Sequence, residues 1–177
     1  MQIISGIYKG RSLNYDSKHI RPTTSKVRAA FFNSIAHEIT EARFLELFCG
    51  SAAMSIEALS RGARQAIAVD LHIDIAVSNL KKLAVENLEI YKNDALRALS
   101  ILSKKEPFDI VYIDPPYAFK NKKDLLFSLG KFAILNSEGL LAIESDELEP
   151  EIEGLDKIRV KDYGQTKITF YQKQCKK

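Results

Sequence analysis

The strongest constraint on the fold is a rhythm that runs from residue 42 to residue 145, in which runs of six or seven mostly apolar residues alternate with stretches of helical spacing. The apolar runs are ARFLELF (42–48), QAIAVD (65–70), LEIYKND (88–94), FDIVYID (108–114) and GLLAIES (139–145), and each is predicted to be a strand. Between them SAAMSIEALSRGA reads as a helix ended by Gly62. Residues 73–87 read as an amphipathic helix with Ile73, Val77, Leu80 and Ala84 on one face, and residues 95–104 and 122–132 as two more. A strand that is apolar on both faces must be covered on both faces. The chain is therefore predicted to fold as an α/β, doubly wound, mostly parallel sheet with helices on either side.

The two ends depart from this rhythm. IISGIYKGRSL is β-rich with Gly6 and Gly10 and predicts a hairpin, after which Pro22-Thr23-Thr24 opens a helix carrying Val27, Phe31 and Ile35. At the other end, residues 156–172 hold two alternating runs separated by Gly164-Gln165, the pattern of an antiparallel hairpin. Residues 144–156, with seven acids and one proline, read as a solvated connector. Residues 1–40 are thus expected to form a small extension of hairpin plus helix, and residues 41–177 the main domain.

At 177 residues with 46% hydrophobic content, one core is affordable and disorder is excluded. No apolar run approaches a membrane span and the first ten residues lack the apolar segment of a signal peptide, so a cytoplasmic protein without membrane attachment is expected. Cys49 and Cys175 stand far apart without metal-ligand spacing, so neither a disulfide nor a metal site is expected. The net charge of +3 conceals a division: residues 1–40 carry +4, residues 41–156 carry −7 and residues 157–177 carry +6. Two readings of that division stand open, ordinary solvated ends or a basic, anion-binding rim around an acidic working module.

In doubly wound sheets ligands bind beyond the carboxyl ends of the strands, where the strand order reverses. The turn after the first strand reads Glu46-Leu47-Phe48-Cys49-Gly50-Ser51-Ala52. Gly50 supplies the turn, and Asp70 ends the second strand twenty positions later, where a carboxylate can accept both ribose hydroxyls of a nucleoside. NAD and S-adenosylmethionine both meet that geometry. A dinucleotide, however, calls for glycines that let the backbone approach a pyrophosphate, and Ala52 and Ser55 stand at the second and third of those positions. S-adenosylmethionine has no phosphate, and its ammonium and sulfonium favour a nearby carboxylate such as Glu46. Such a turn also occurs in α/β folds without any ligand. Asp94, after Asn93, is a candidate for the adenine edge and is equally placed to cap the next helix.

The second candidate site is Asp114-Pro115-Pro116-Tyr117, directly after the fourth strand. Two prolines remove two backbone donors and stiffen the loop, so the Asp114 side chain and the Pro115 carbonyl can present acceptors to the two N–H bonds of an exocyclic amine. Tyr117 offers a flat face for a base. The plainer alternative is a proline-rich turn with a half-buried tyrosine.

Taken in order, FLELFCGSAAMSIEALSRGA, Asp70, Asn93-Asp94 and DPPY resemble the class I S-adenosylmethionine-dependent amino methyltransferases. IISGIYKGRSL and RPTTSKVRAAFFNSI are more specific and resemble the RsmD family of 16S rRNA guanine-N2 methyltransferases, which act on guanine-966 of the small ribosomal subunit. The resemblance runs from Ile3 to Gly164-Gln165. It implies a Rossmann-like methyltransferase fold that binds S-adenosylmethionine through Glu46, Phe48, Gly50, Ser51, Asp70, Leu71, Asn93, Asp94 and Asp114, with Asp114, Pro115, Pro116 and Tyr117 catalytic. It further implies 16S rRNA or the small ribosomal subunit particle as partner. Lys9, Arg11, Arg21 and Arg28 are then candidate phosphate contacts, with Lys161 and Lys167 behind them, and the basic ends become the rim. Thr23 and Thr24 are expected to cap the helix, with contact to the cofactor as the alternative, and the histidines carry no assignment. Where the family usually reads FAGSGALGLEA this chain has FCGSAAMSIEA, and Glu46 replaces the usual Asp. Three rival readings remain: an adenine-N6 methyltransferase, since DPPY reads only an amine; an NAD-dependent oxidoreductase, which leaves DPPY unexplained; and an RNA-binding protein without catalysis.

Overall fold

The computed structural model describes residues 1–15 and 24–174. Five strands, β1 (Arg43–Leu47), β2 (Gln65–Asp70), β3 (Leu88–Lys92), β4 (Phe108–Ile113) and β5 (Leu135–Ser145), form a parallel sheet. An antiparallel hairpin of β6 (Leu155–Asp162) and β7 (Lys167–Lys173) extends it, giving the order β3-β2-β1-β4-β5-β7-β6. The helices are α1 (Ser25–Ser34), α2 (Ala53–Ser60), α3 (Asp74–Leu83), α4 (Ala95–Leu102) and α5 (Lys122–Lys131). Successive strand residues point to opposite faces, which sorts the core into two layers. Phe44, Ile110, Tyr112, Ala142 and Phe170 pack with α1, α2 and α3, whereas Leu45, Leu47, Val69, Val111, Ile113 and Ile143 pack with α4 and α5. Because β2 and β4 leave β1 in opposite directions, the strand ends part between β1 and β4. A crevice opens there, and every loop of interest runs into it.

The N-terminal segment is tied to this body through α2. The expected hairpin is present as an antiparallel bridge of Gln2 and Ser12 flanked by the Ile3 N–H to the Arg11 carbonyl at 3.0 Å, the Gly10 N–H to the Ile3 carbonyl at 2.9 Å and the Leu13 N–H to the Met1 carbonyl at 2.7 Å, and it is fixed to the body by further contacts. Glu57, fully buried on α2, accepts the backbone N–H of Ile4 at 2.8 Å and of Ser5 at 3.0 Å and pairs with Arg61 at 2.8 Å. Gly6 follows with φ +80°, and a Cβ there would meet the Ser60 carbonyl oxygen at 1.6 Å, so only glycine permits the segment to lie this close. Thr24 caps α1 by accepting the Val27 N–H at 3.2 Å.

Three expectations are corrected. The third helix stops at Leu83 instead of reaching residue 87, because Ala84 and Asn87 adopt left-handed φ values of 48° and 60° that turn the chain into β3. Residues 144–156 are a solvated connector only in part: Asp146, Glu147, Glu151, Glu153 and Asp156 are exposed, but Glu149 and Ile152 are buried, Lys122 reaches Glu149 at 2.8 Å, and the Tyr171 hydroxyl donates to the Pro150 carbonyl at 2.6 Å. Arg28, expected on the surface as a phosphate contact, is 0% exposed. Its guanidinium donates to the Gln2 carbonyl and lies 3.7 Å from Glu57, so it is a structural ion of the core that holds α1 to α2 and the N-terminal segment.

Candidate functional site

β1 ends in a loop that bends sharply. Phe48, Gly50 and Ala52 all have left-handed φ, at 61°, 51° and 58°, within five residues. For a bulky residue such as Phe48 this conformation is strained, and strain of this kind gathers at ligand sites. Asp70 at the end of β2 over-determines the bend: one carboxylate oxygen accepts the Gly50 N–H at 2.9 Å, and the other accepts the His72 N–H at 3.0 Å. Asp94 acts as the N-cap of α4, accepting from Leu96 and Arg97 at 3.0 and 3.2 Å, and Asn93 accepts the Asp94 N–H at 2.9 Å. The capping role considered for Asp94 is thus present in the geometry, and it leaves lone pairs of the carboxylate for a ligand.

These ends surround a cavity of about 490 Å³, within the range of small-molecule and cofactor sites. Phe48 and Gly50 enter it from β1, Asp70 and Leu71 from β2, Asn93 and Asp94 from β3, and Asp114, Pro115, Pro116 and Tyr117 from β4. The sheet thereby gathers into one space two motifs that lie more than sixty residues apart in the chain. Tyr117 is 68% exposed, so its ring is open to a flat partner. Phe48 meets Phe119 edge to face at 5.0 Å, joining the β1 loop to the β4 loop.

Two expected residues stand apart from the lining. Ser51 is not on the cavity wall; its carbonyl accepts from the Asn79 amide at 3.0 Å. Glu46 is buried beneath the loop, where it accepts the Ser55 N–H at 2.8 Å and the Ser55 hydroxyl. Burial pushes its carboxyl up to about 7, against the pull of those two hydrogen bonds. Two of the departures from the family's usual pattern, Glu46 and Ser55, are therefore one contact: the longer acid finds the hydroxyl that replaces a glycine. The third, Ala52, has its side chain fully buried in the core beneath the loop and does not line the cavity. Burial also raises the pKa of the neighbouring Cys49 thiol, which stays protonated and inert.

The cavity wall includes residues that carried no assignment in the sequence: His72, Ala95 and Phe119, with Glu144 and Ser145 from the end of β5 and Thr166 from the β6–β7 hairpin. Thr24 lines it as well as capping α1. For Glu144 a signal existed, since a polar residue closing a parallel strand falls on the ligand side of a doubly wound sheet. Thr166 belongs to a hairpin whose position depends on the whole sheet.

Among the described residues the lining contains four carboxylates and neither lysine nor arginine. Such a wall suits a cation and opposes a phosphate. The Gly50 N–H, which a pyrophosphate would need, already donates to Asp70. A nucleoside bearing positive charge, such as S-adenosylmethionine, fits these donors and acceptors, and a dinucleotide does not. Of the expected phosphate contacts, Lys9 and Arg11 are exposed, and Arg11 donates to the Leu83 carbonyl at 2.9 Å while lying over the Tyr8 ring. Lys167 is paired with Asp162 at 3.0 Å, and Arg21 lies outside the described residues, as do Thr23 and Cys175. No helix among the described residues is long and apolar enough to cross a membrane.

The family model described as conserved hypothetical protein 95 matches residues 1–172. A Bacillus subtilis protein named as a candidate rRNA methyltransferase, YlbH, is 38% identical over 183 residues, spanning 98% of this chain and 100% of its own length. Ribosomal RNA small subunit methyltransferase D of Escherichia coli K12 is 32% identical, spanning 99% of this chain and 91% of its own. Among solved structures, a candidate methyltransferase of Escherichia coli, yhhF, matches with a TM-score of 0.86 at 31% identity over 99% of both chains.

Proposed function

Since the chain belongs to the RsmD family, which includes ribosomal RNA small subunit methyltransferase D, we propose that it methylates the exocyclic N2 amine of a guanine in 16S rRNA, guanine-966 of the small ribosomal subunit. The observation that carries this reading is the opening of Asp114-Pro115-Pro116-Tyr117 into the same cavity as Asp70 and Asp94. S-adenosylmethionine supplies an electrophilic methyl group on a positively charged sulfur. Asp70 takes the ribose hydroxyls, Asn93 and Asp94 the adenine edge, and Phe48, Gly50 and Leu71 the apolar and backbone contacts. Glu46 supports this half of the site from below through Ser55.

An exocyclic guanine amine is a weak nucleophile because its lone pair is delocalised into the ring. Asp114 and the Pro115 carbonyl accept its two N–H bonds, which favours a tetrahedral nitrogen and frees the lone pair; as the N–C bond forms and the C–S bond breaks, the nitrogen sheds one proton to Asp114 and the neutral thioether leaves. Pro116 stiffens the loop, and Tyr117 stacks on a base that is single-stranded or flipped out. Acceleration comes from alignment and fixed electrostatics. Lys9 and Arg11, with Arg21, contribute the phosphate contacts of an RNA-facing extension formed by residues 1–40, set against a catalytic domain of residues 41–177. RNA affinity on such contacts falls as salt rises.

The test is transfer of a labelled methyl group from S-adenosylmethionine to 16S rRNA, offered both naked and as small-subunit particles, followed by digestion to nucleosides. N2-methylguanosine is the expected product. N6-methyladenosine would replace the proposal with the adenine reading, and RNA retention without transfer would replace it with a binding protein.

A further inference from the structure

Glu144 closes β5 and takes no part in the reaction as set out above. It is only 7% exposed, yet it lines the cavity, and the Tyr112 hydroxyl on the adjoining strand donates to its Oε2. Tyr112 pairs with Ala142 and Ile113 with Ile143, the last pair of the register; Asp114 follows β4 directly and Glu144 is the next residue of β5. Alternation places Glu144 on the face of Ala142, which packs in the layer under α1. Both carboxylates line the cavity on its β4–β5 side, across β1 from Asp70 and Asp94. Neighbouring acceptors suit a ligand that presents neighbouring donors. Guanine does so, with N1–H next to the N2 amine, whereas adenine places the bare lone pair of N1 beside its amine.

We propose that Glu144 is the specificity-determining residue of the site: its carboxylate accepts the N1–H of the target guanine while Asp114 and the Pro115 carbonyl hold the N2 amine. Tyr112 is the positioning residue that fixes that carboxylate. This inference rests on the guanine-N2 reading and deepens it. A buried carboxylate facing a base without N1–H would be left against a lone pair, and sites built to pair a polar group reject analogues that lack it.

The experiment replaces the methylated guanine of the RNA by 2-aminopurine, which keeps the 2-amino group and loses N1–H together with O6, so the narrowing of the ratio in Glu144→Gln is what assigns the preference to N1. The intact enzyme is expected to methylate guanine at least about 100-fold faster than 2-aminopurine. In Glu144→Gln, which can turn an amide N–H toward the N1 lone pair, guanine transfer falls and 2-aminopurine transfer rises, so that the ratio narrows to within about 10-fold. Tyr112→Phe narrows the ratio in the same direction. Equal rates on the two bases for the intact enzyme would overturn the proposal, as would a Glu144→Gln variant in which both rates fall by the same factor. The wild-type comparison stands even if the variant fails to fold. The product nucleoside separates the two levels of failure: N2-methylguanosine formed without N1–H discrimination removes only the role of Glu144, whereas N6-methyladenosine removes the reading beneath it as well.

Discussion

On the β1–β3 side of the cavity, Asp70 and Asp94 each accept two backbone N–H groups of their own neighbourhood, so the chain itself aims their carboxylates. On the β4–β5 side the arrangement differs: Asp114 is followed by two prolines that have no N–H to offer, and Glu144 is held by the hydroxyl of Tyr112. The first half couples its ligand groups to the backbone, and altering them disturbs the fold as well as binding. The second half is stiffened by ring closure and, at Glu144, by a side-chain contact. A rigid cradle on one side and a specialised reading edge on the other is what a reaction with a constant donor and a selected acceptor requires.

That division can be broken most decisively at Asp114. Asp114→Ala is expected to lower methyl transfer at least about 100-fold while leaving cofactor affinity within about 2-fold of the parent, as measured by labelled-methyl assay and calorimetric titration. Normal transfer in that variant would dissolve the distinction.

The next largest effect lies under the cradle. The Glu46 carboxyl has its pKa raised from the ordinary glutamate value to about 7, so the folded state binds a proton more tightly than the unfolded chain does. Its contribution is full below about pH 4.5 and is lost as pH rises to about 7, a loss on the order of 3 kcal/mol as an upper bound. Denaturant titrations across that window in parent and Glu46→Gln check it: the variant should lack this downward slope with rising pH.

Asp70→Asn is expected to lower both properties together, stability by about 1–2 kcal/mol and cofactor affinity by about 10-fold, because the side chain that holds the loop is the one proposed to take the ribose hydroxyls. Thermal melts read alongside calorimetry would show whether the two losses travel together, as the cradle requires. The smallest effect is expected at Ala52→Gly. Relief of a left-handed alanine, about 1 kcal/mol, is offset by the loss of a fully buried methyl, about 0.8 kcal/mol, and cofactor affinity should not change, since Ala52 does not line the cavity.

The strands were legible because each is a short apolar run bounded by polar residues, and QAIAVD corresponds to β2 without a residue's shift. The two strand-end motifs were legible for the same reason: a doubly wound sheet brings its carboxyl ends together whatever the loops contain. Arg28 was misread since charge in a basic segment suggests solvent, and its partner Glu57 lies on another helix. A signal was present, because Arg28 shares a helical stripe with Phe32 and Ile35, both fully buried. Residues 144–156 misled in part for the same reason: their seven acids suggest water, and five are exposed, yet Glu149 is buried and pairs with Lys122 of α5. Burial of charge is decided by partners distant in sequence, and a local pattern does not name them.

Glu57 bears on how such a chain can be cut or recombined. One carboxylate receives two amides of the N-terminal segment, an arginine of its own helix and, at longer range, the buried guanidinium of α1. Removing residues 1–13 to isolate a minimal enzyme would leave two opposite charges in the core without the backbone groups that now share them. The N-terminal segment, α1 and α2 therefore fold as one unit joined at Glu57, with no seam between them along which to detach the segment.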